Sequence, residues 1–557
     1  MTTSCVTRDI SQSTKGTPLI TRRTRQRRWL SAVPVIAAVS VTLAGCSPST
    51  TADTSGSSGD PVAGGNLISG QDEYPTCLDL VQEAAAQNAT RQIVDNLTDL
   101  NLDTGAIEPW LATSWDIEND GRRFVFHLRD DVTFSNGQVF DASNVKANFD
   151  SIIEYGKLGK AGRGLSYLLD YENSEVIDAT TVAVNFTEPR AGFLEATSEK
   201  ELGFLSPDTL SATPEDRCRG NLIGTGPFTI KSTVPEQEIV LAGRTDYNWA
   251  SPNARHEGAP YLDTITFRLI KEEGVRVGSL ISGDVDTIVE VPQNGISRIE
   301  ASGGSIVSRP VAGVPRGLVP NLNNPILADV AVRQALQVGI DRQDIAETFF
   351  TEYDKPATSI LTTTVPGYVD LGSELEYNPE KAKKLLAAAG WAPGSDGIRT
   401  KDGNRLTLDI KFIDESYQPI YELVQQQLKS VGIDITLSLI TGAQQTSDRK
   451  AGNFDLSQTS NTRPDPDILL SNLSSKYSSL WSQYPQPELD SLLDQQSKEV
   501  DNDKRSALVE RIQRLAIEQG YLVPYWGYAE VLAVGSNVHG VWQSVPSAPV
   551  YYDTWKS

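Results

Sequence analysis

Residues Leu406-Thr-Leu-Asp-Ile-Lys-Phe412, Ile420 to Val431 and Ile433-Asp-Ile-Thr-Leu-Ser-Leu439 decide the fold class. Leu406, Leu408, Ile410 and Phe412 alternate with polar residues, the period of a strand with one buried face. Ile420, Val424, Leu428 and Val431 recur at intervals of three and four, as one face of a helix does, and Gly432 stops that helix. Ile433, Ile435, Leu437 and Leu439 then alternate again. A strand, a helix and a second strand in this order form a right-handed crossover between parallel strands. The C-terminal half is therefore expected to be α/β. Ligands of open α/β sheets sit beyond the carboxyl ends of the strands. Phe454-Asp-Leu456 reads as a further short strand, so the loop Ser460-Asn-Thr-Arg-Pro-Asp-Pro-Asp467 is expected to face a ligand.

Working back toward the N-terminus, the same signals recur. Asn378 as cap, Pro379 at the first helical position and Gly390 beyond the last turn bound a helix. Val332, Leu336 and Ile340 share a helix face, and Asp341 and Asp344 suit the start of the next helix. Gly224, Gly226 and Pro227 make a rigid turn before the strand Phe228-Thr-Ile230. Thr181 to Phe186 and Phe124 to Leu128 read as strands, Asn136-Gly137 as a hairpin turn, and Asp141 as a helix cap. Arg91 to Leu100 reads as helical. Order is expected to begin near Asn66-Leu67-Ile68.

The chain has 557 residues, a length that predicts two or three domains. With 72 acidic against 49 basic residues its formal net charge is −23, which argues against nucleic acid as a partner. The charge runs the other way at the start, where Arg22, Arg23, Arg25, Arg27 and Arg28 precede an apolar run from Trp29 to Leu43. A basic region, an apolar run of about 15 residues and small residues at the cut read as a secretory signal. The run is shorter than the roughly 20 residues a membrane span needs. Its end, Leu43-Ala-Gly-Cys46, resembles the bacterial lipobox, in which the thiol is acylated and the peptide bond before it is cut. The other reading is an ordinary signal peptide that ends at a cysteine. Residues 1–45 are thus expected to be a lipoprotein signal, and 46–65, rich in Ser, Thr, Gly, Asp and Pro, a flexible tether. Of the four cysteines, Cys5 leaves with the signal and Cys46 takes lipid. Cys77 and Cys218 remain, either as one disulfide in an oxidising compartment or as two buried thiols.

Several short motifs, taken in order, resemble one family. They run Leu111-Ala-Thr-Ser-Trp115, Phe126-His-Leu-Arg129, Val132-Thr-Phe-Ser-Asn-Gly137, Gly224-Thr-Gly-Pro-Phe228 and Gly278 to Asp286. Ala331-Val-Arg-Gln-Ala-Leu336 and Tyr377-Asn-Pro-Glu-Lys-Ala-Lys383 follow. The family is that of the extracytoplasmic solute-binding proteins of peptide/nickel-type ABC importers, bacterial extracellular solute-binding protein family 5. The resemblance covers nearly all of residues 66–557. It implies a two-lobed, periplasmic-binding-protein-like α/β fold of class II, with a large discontinuous first lobe and a second α/β lobe hinged by two crossing strands. The crossings are expected near Arg316 to Asn321 and Leu522 to Ala529. Lobe I would then comprise residues 66–315 with an extra subdomain plus 527–557, and lobe II residues 316–526.

Motifs for catalysis are missing from the sequence. None of its three histidines, His127, His256 and His539, pairs with another at helical spacing, so no zinc-protease helix exists. Ser143-Asn-Val-Lys146 lacks the partner motifs of penicillin-interacting enzymes. Gly159-Lys160 lacks the Ser or Thr of a phosphate loop, and Asp465 and Asp467 with prolines between do not make a calcium loop. No catalytic residue, metal ligand or cofactor is expected, and an exported lipid-anchored hydrolase is the weaker alternative.

The resemblance implies instead a receptor that captures a peptide or peptide-like solute between its lobes and delivers it to membrane permease subunits. Such a protein would be a monomer outside the cytoplasm, anchored to the cell membrane through Cys46. Peptide-binding members carry an aspartate in the late loop that pairs with the peptide ammonium. Here Thr462 stands at that place and Arg463 beside it, which opens the alternative of an anionic metal chelate or an opine-like solute. Arg463 either meets ligand or pairs with Asp465 or Asp467. The other expected ligand-binding residues are Tyr74, Arg163, Tyr167, Asn323, Asn461 and Trp526. For Arg163 the other reading is a solvated loop, and for Trp526 packing between lobes.

Overall fold

The computed structural model describes residues 59–82, 87–478, 484–545 and 547–557. The unit that decided the fold class is present as read. The strand Thr407–Phe412, the helix Gln418–Val431 and the strand Asp434–Leu439 follow one another, and the strands pair in parallel from Thr407↔Asp434 to Phe412↔Leu439. Ile420, Val424, Leu428 and Val431 are buried against them. Gly432 closes the helix at φ +95, where a Cβ would lie 2.7 Å from the Arg399 side chain. The alternation fades along the last strand, and Leu439 is half exposed, because that strand is the edge of its sheet.

Two large sheets carry the molecule. The first has seven strands in the order Ser305–Pro310, Ala529–Val534, Thr287–Ile288, Asn66–Gln71, Thr264–Leu269, Glu238–Gly243 and Phe228–Val234. The second has six, in the order Lys355–Pro356, Val523–Gly527, Gly313–Pro320, Leu456–Thr462, Thr407–Phe412 and Asp434–Leu439. A separate four-stranded antiparallel sheet comprises Ala112–Glu118, Arg123–Leu128, Thr181–Phe186 and Tyr171–Asp178. Its aromatic core includes Trp110, Phe124, Phe126, Phe149 and Phe193.

The chain changes sheet between Pro310 and Gly313 and returns between Gly527 and Ala529. Arg316 to Asn321, the stretch expected to cross, instead runs almost wholly inside the six-stranded sheet. At the passage the Val311 amide donates to the Tyr528 carbonyl at 2.9 Å, so the two crossings hold each other. Gly313, at φ +145, lets the first crossing run close to its neighbour: a Cβ there would sit 2.2 Å from the Asn461 carbonyl oxygen.

Other expectations meet mixed outcomes. Asp141, Asp341 and Asn378 cap their helices, and Asn136-Gly137 turns between bridged Thr133 and Val139. Arg91 to Leu100 is not a helix. A single turn, Gln87–Thr90, precedes it and Thr98–Leu100 is a strand. Tertiary contacts override the local pattern there. The Asp95 carboxylate accepts from Trp249 Nε1 at 2.9 Å and Tyr247 Oη at 3.3 Å, and the Gly226 amide donates to the Ile93 carbonyl. The strand expected at Phe454 to Leu456 spans Leu456–Thr462, so Ser460, Asn461 and Thr462 lie in a strand end rather than a loop.

Cys77 and Cys218 form a disulfide, closing a separation of 141 residues. The C-terminal tail returns to the first lobe, where Tyr551 Oη bonds Ser69 Oγ at 3.1 Å. No described helix is long and apolar enough to cross a membrane. The signal, Cys46 and most of the tether lie outside the described residues.

Candidate functional site: a charged cleft between the lobes

Three strands of the seven-stranded sheet, Asn66–Gln71, Thr264–Leu269 and Thr287–Ile288, run parallel. Their carboxyl ends open on one cavity of about 360 Å³, a size suited to a small ligand. Gln71 to Pro75, Leu269, and Val289 with Glu290 form that wall. The opposite wall is the end of the strand Leu456–Thr462, with Ser460, Asn461 and Thr462. The crossings close the back with Val311, Val314 to Arg316, Tyr528 and Glu530.

The wall carries four carboxylates, Asp72, Glu73, Glu290 and Glu530, and two guanidinium groups, Arg163 and Arg316. Glu290 stands at φ +50, a strained conformation for a residue with a Cβ. Its carboxylate accepts from Tyr528 Oη, and burial pushes its pKa up. Burial, then the neighbouring Glu290 and Asp72, push Glu530 up to about 8. Arg316 lies between two tyrosine rings, 4.7 Å from Tyr528 and 5.1 Å from Tyr417. Its guanidinium makes no ion pair within 4 Å among the described residues, so its edge is free for a planar anion. Arg163 lies 3.9 Å from Glu201.

Of the residues expected from the sequence, the cavity wall contains Tyr74, Arg163, Asn461 and Thr462. It does not contain Tyr167, Asn323, Arg463 or Trp526. Arg463 is 4% exposed, sits 3.6 Å from Asp467 and stacks at 4.7 Å on the ring of Tyr167. Its fork is thus directed into the protein. Asn323 donates its amide to Asn321 Oδ1, and Asn321 in turn holds the Gly452 and Phe454 carbonyls. This network shapes the second lobe. Trp526 is 1% exposed and packs on Phe350 at 4.3 Å, on the core side of its strand. The aromatic that reaches the cleft is Tyr528, on the crossing itself. Asp72, Glu290, Arg316 and Glu530 were not anticipated. Asp72, Glu290 and Glu530 are single acids beside strand ends and Arg316 lies inside the strand Gly313–Pro320; none stands in a motif.

Asp465 and Asp467 do shape the late loop. Arg505 grips both oxygens of Asp465, and Asp467 accepts from Arg190 of the first lobe at 3.0 Å. The loop therefore joins the lobes beside the cleft.

Two lobes, two crossings and a polar cavity between them define a solute-binding protein. Residues 106–480 match the family described as bacterial extracellular solute-binding proteins, family 5 Middle, and the chain belongs to that family. It is 25% identical over 541 residues to the oligopeptide-binding protein AppA of Bacillus subtilis (strain 168), covering 93% of this chain and 96% of that one. It is 26% identical over 344 residues to the nickel-binding periplasmic protein of Escherichia coli (strain K12), covering 60% of this chain and spanning only 63% of that relative. Among solved structures, NikA from Brucella suis in complex with Fe(III)-EDTA superposes with a TM-score of 0.77 at 24% identity, over 88% of this chain and all of that one.

Proposed function

We propose that this protein is the solute receptor of an ABC importer and that its ligand is a zwitterionic, peptide-like solute. The observation that carries the reading is the cleft itself, walled by both lobes and holding both signs of charge. Arg316, stacked and unpaired, would take the ligand carboxylate in a bidentate pair. Asp72, Glu290 and Glu530 would take its ammonium, the part the family pattern assigns to an aspartate at the place of Thr462. With Arg463 turned inward, the anion-only reading loses the residue that suggested it. The alternative, an anionic metal chelate or opine-like solute, rests on Arg163 and Arg316 together and on the nickel-binding relative.

Ligand contacts on both walls favour closure only when the cleft is filled. The hinge of this movement is assigned to Val311-Ala312 and Tyr528, and the lobe boundaries accordingly to these points. The protein is further read as a monomeric lipoprotein: cut before Cys46, acylated there, held outside the cytoplasm on the tether 46–65, and offered to permease subunits.

Native mass spectrometry of protein purified without refolding tests the ligand class. A co-purifying mass that fragments as a free-amine peptide is the expected result, and a metal chelate or an acid without an amine would overturn it. Cys46→Ser is expected to release the protein from the membrane fraction or leave the precursor uncut. Wild-type fractionation and migration would refute the anchor.

A further inference from the structure

Val311 faces the ligand cleft, whereas its neighbours Pro310 and Ala312 face a second cavity, of about 600 Å³. This space also lies between the lobes. Ile107, Ile117 and Leu194 of the first lobe form one apolar wall, and Pro366, Val500 and Val509 of the second form the other. Ile117 and Val500 stay 47% and 46% exposed at its mouth, so water has access.

Glu195 stands in the wall of this cavity, 8% exposed, and neither of its carboxylate oxygens has a hydrogen-bond partner among the described residues. The other charged groups there have hydrogen-bond partners. Arg505 holds Asp465, the Arg309 guanidinium donates to the Leu102 carbonyl, and Glu499 accepts from the Asp501 amide. An unpartnered buried acid is costly, and a structure keeps one where something arrives to satisfy it or where it holds a proton. Burial, with Glu199 and Asp465 nearby, raises the Glu195 pKa well above its ordinary value, against the pull of Arg463 and Arg505. A buried acid without a partner, beside the apolar side chains of this wall, suits a basic, lipophilic guest.

We propose that this cavity is a second binding site, distinct from the ligand cleft, for a small amphiphilic amine whose apolar body fills the space between the lobes and whose nitrogen pairs with Glu195. On binding, the carboxyl proton moves to the nitrogen of a neutral amine. When the amine arrives as ammonium, that proton is released to solvent instead. Either way a carboxylate–ammonium pair replaces an unsatisfied acid. Because the guest touches both lobes, its occupancy is linked to their separation.

The probe is 1-naphthylmethylamine, followed by its fluorescence on the purified protein. Saturable binding to wild type is expected. Glu195→Gln should weaken it at least about tenfold. Val500→Trp, which fills the mouth at an exposed position and leaves the core alone, should do the same. The uncharged analogue 1-methylnaphthalene should compete poorly. Absence of saturable binding to wild type overturns the proposal. So does binding that is indifferent to both substitutions, which would place the amine in the acidic ligand cleft. Binding blocked by Val500→Trp but untouched by Glu195→Gln also overturns it, since the carboxyl would then not be the partner.

Discussion

Arg316 and Glu530 set the chemistry of the cleft one side chain at a time. Arg316 is oriented by two aromatic faces rather than by an acid, which leaves its hydrogen-bonding edge unspent. Arg316→Ala is expected to weaken ligand binding by about 2 kcal/mol, roughly thirtyfold, measured by titration calorimetry with the co-purified solute. Arg463→Ala, by contrast, would act on stability, since its side chain is buried against Asp467 and the ring of Tyr167 and lies outside the cavity wall. Glu530 predicts a pH dependence. Its pKa of about 8 in the folded protein lies above its ordinary 4.5, so the native state binds more protons than the unfolded chain between those values. Stability of the ligand-free protein should therefore fall as pH rises through that window. Glu290 and Asp72 push Glu530 up, while Lys200 and the Ser547 hydroxyl oppose them. A ligand ammonium selects the carboxylate form, so affinity should rise toward pH 8 and fall beyond it, where a peptide α-ammonium loses its proton at about pH 8. Glu530→Gln should flatten the rising limb of that profile in calorimetry, and a profile unchanged by the substitution would remove Glu530 from the site. Tyr74, Arg163, Asn461 and Thr462, which lie in segments the family pattern marks, do line the cavity. The sequence hid Glu290 and Glu530 because a lone acid at a strand end looks like any solvated one. It misplaced Trp526 because strand alternation leaves open which face meets a helix and which meets the cleft.

At the level of elements, legibility followed locality. The crossover unit from Leu406 to Leu439 was readable because its periods are long and unbroken. The helix caps were readable because their chemistry is confined to four residues. Arg91 to Leu100 failed because its conformation is imposed from outside, by Trp249, Tyr247 and the close turn at Gly226. The strand Leu456–Thr462 overlaps the expected one only at Leu456, because its residues after Leu456 are all polar and Asn461 and Thr462 owe their conformation to pairing with Val314 and Gly313. That pairing makes Gly313 a sharp test. Its φ of +145 and its 2.2 Å approach to the Asn461 carbonyl leave no room for a methyl group. Gly313→Ala is expected to destabilise the protein by about 2–4 kcal/mol, lowering the thermal midpoint, and to shift the crossing away from Asn461. An unchanged midpoint would show that the two strands part freely at this point. The bridge between Cys77 and Cys218 works on the unfolded chain instead, where closing a loop of 141 residues is worth about 5 kcal/mol in the chain-entropy account.

For the whole molecule, the proposed receptor role makes the balance between open and closed lobes the quantity to test. Asp467 would contribute to it without lining the cleft. Arg190 reaches from the first lobe to Asp467 at 3.0 Å, both nearly buried, and the Ala191 amide donates to the Ser497 carbonyl across the same junction. When the lobes part, both charges return to water and lose little. In the closed form, removing Arg190 leaves Asp467 with only Gln496 at 3.2 Å and the more distant Arg463. Arg190→Ala should therefore penalise the closed state by about 1–3 kcal/mol more than the open one, in which only its contact with Asp170 of the same lobe is lost. A receptor that must close to hold its ligand then binds about ten- to a hundredfold more weakly, because its competent fraction falls. The loss should be uniform across ligands, since no ligand contact is removed, whereas Arg316→Ala should discriminate between ligands with and without a carboxylate. Small-angle scattering of ligand-saturated protein separates the two effects: the Arg190 variant should need more ligand to reach the same compact form. If its affinity for every ligand equals that of wild type, the junction at Asp467 is indifferent to closure, and the energy of closing must come from the cleft alone.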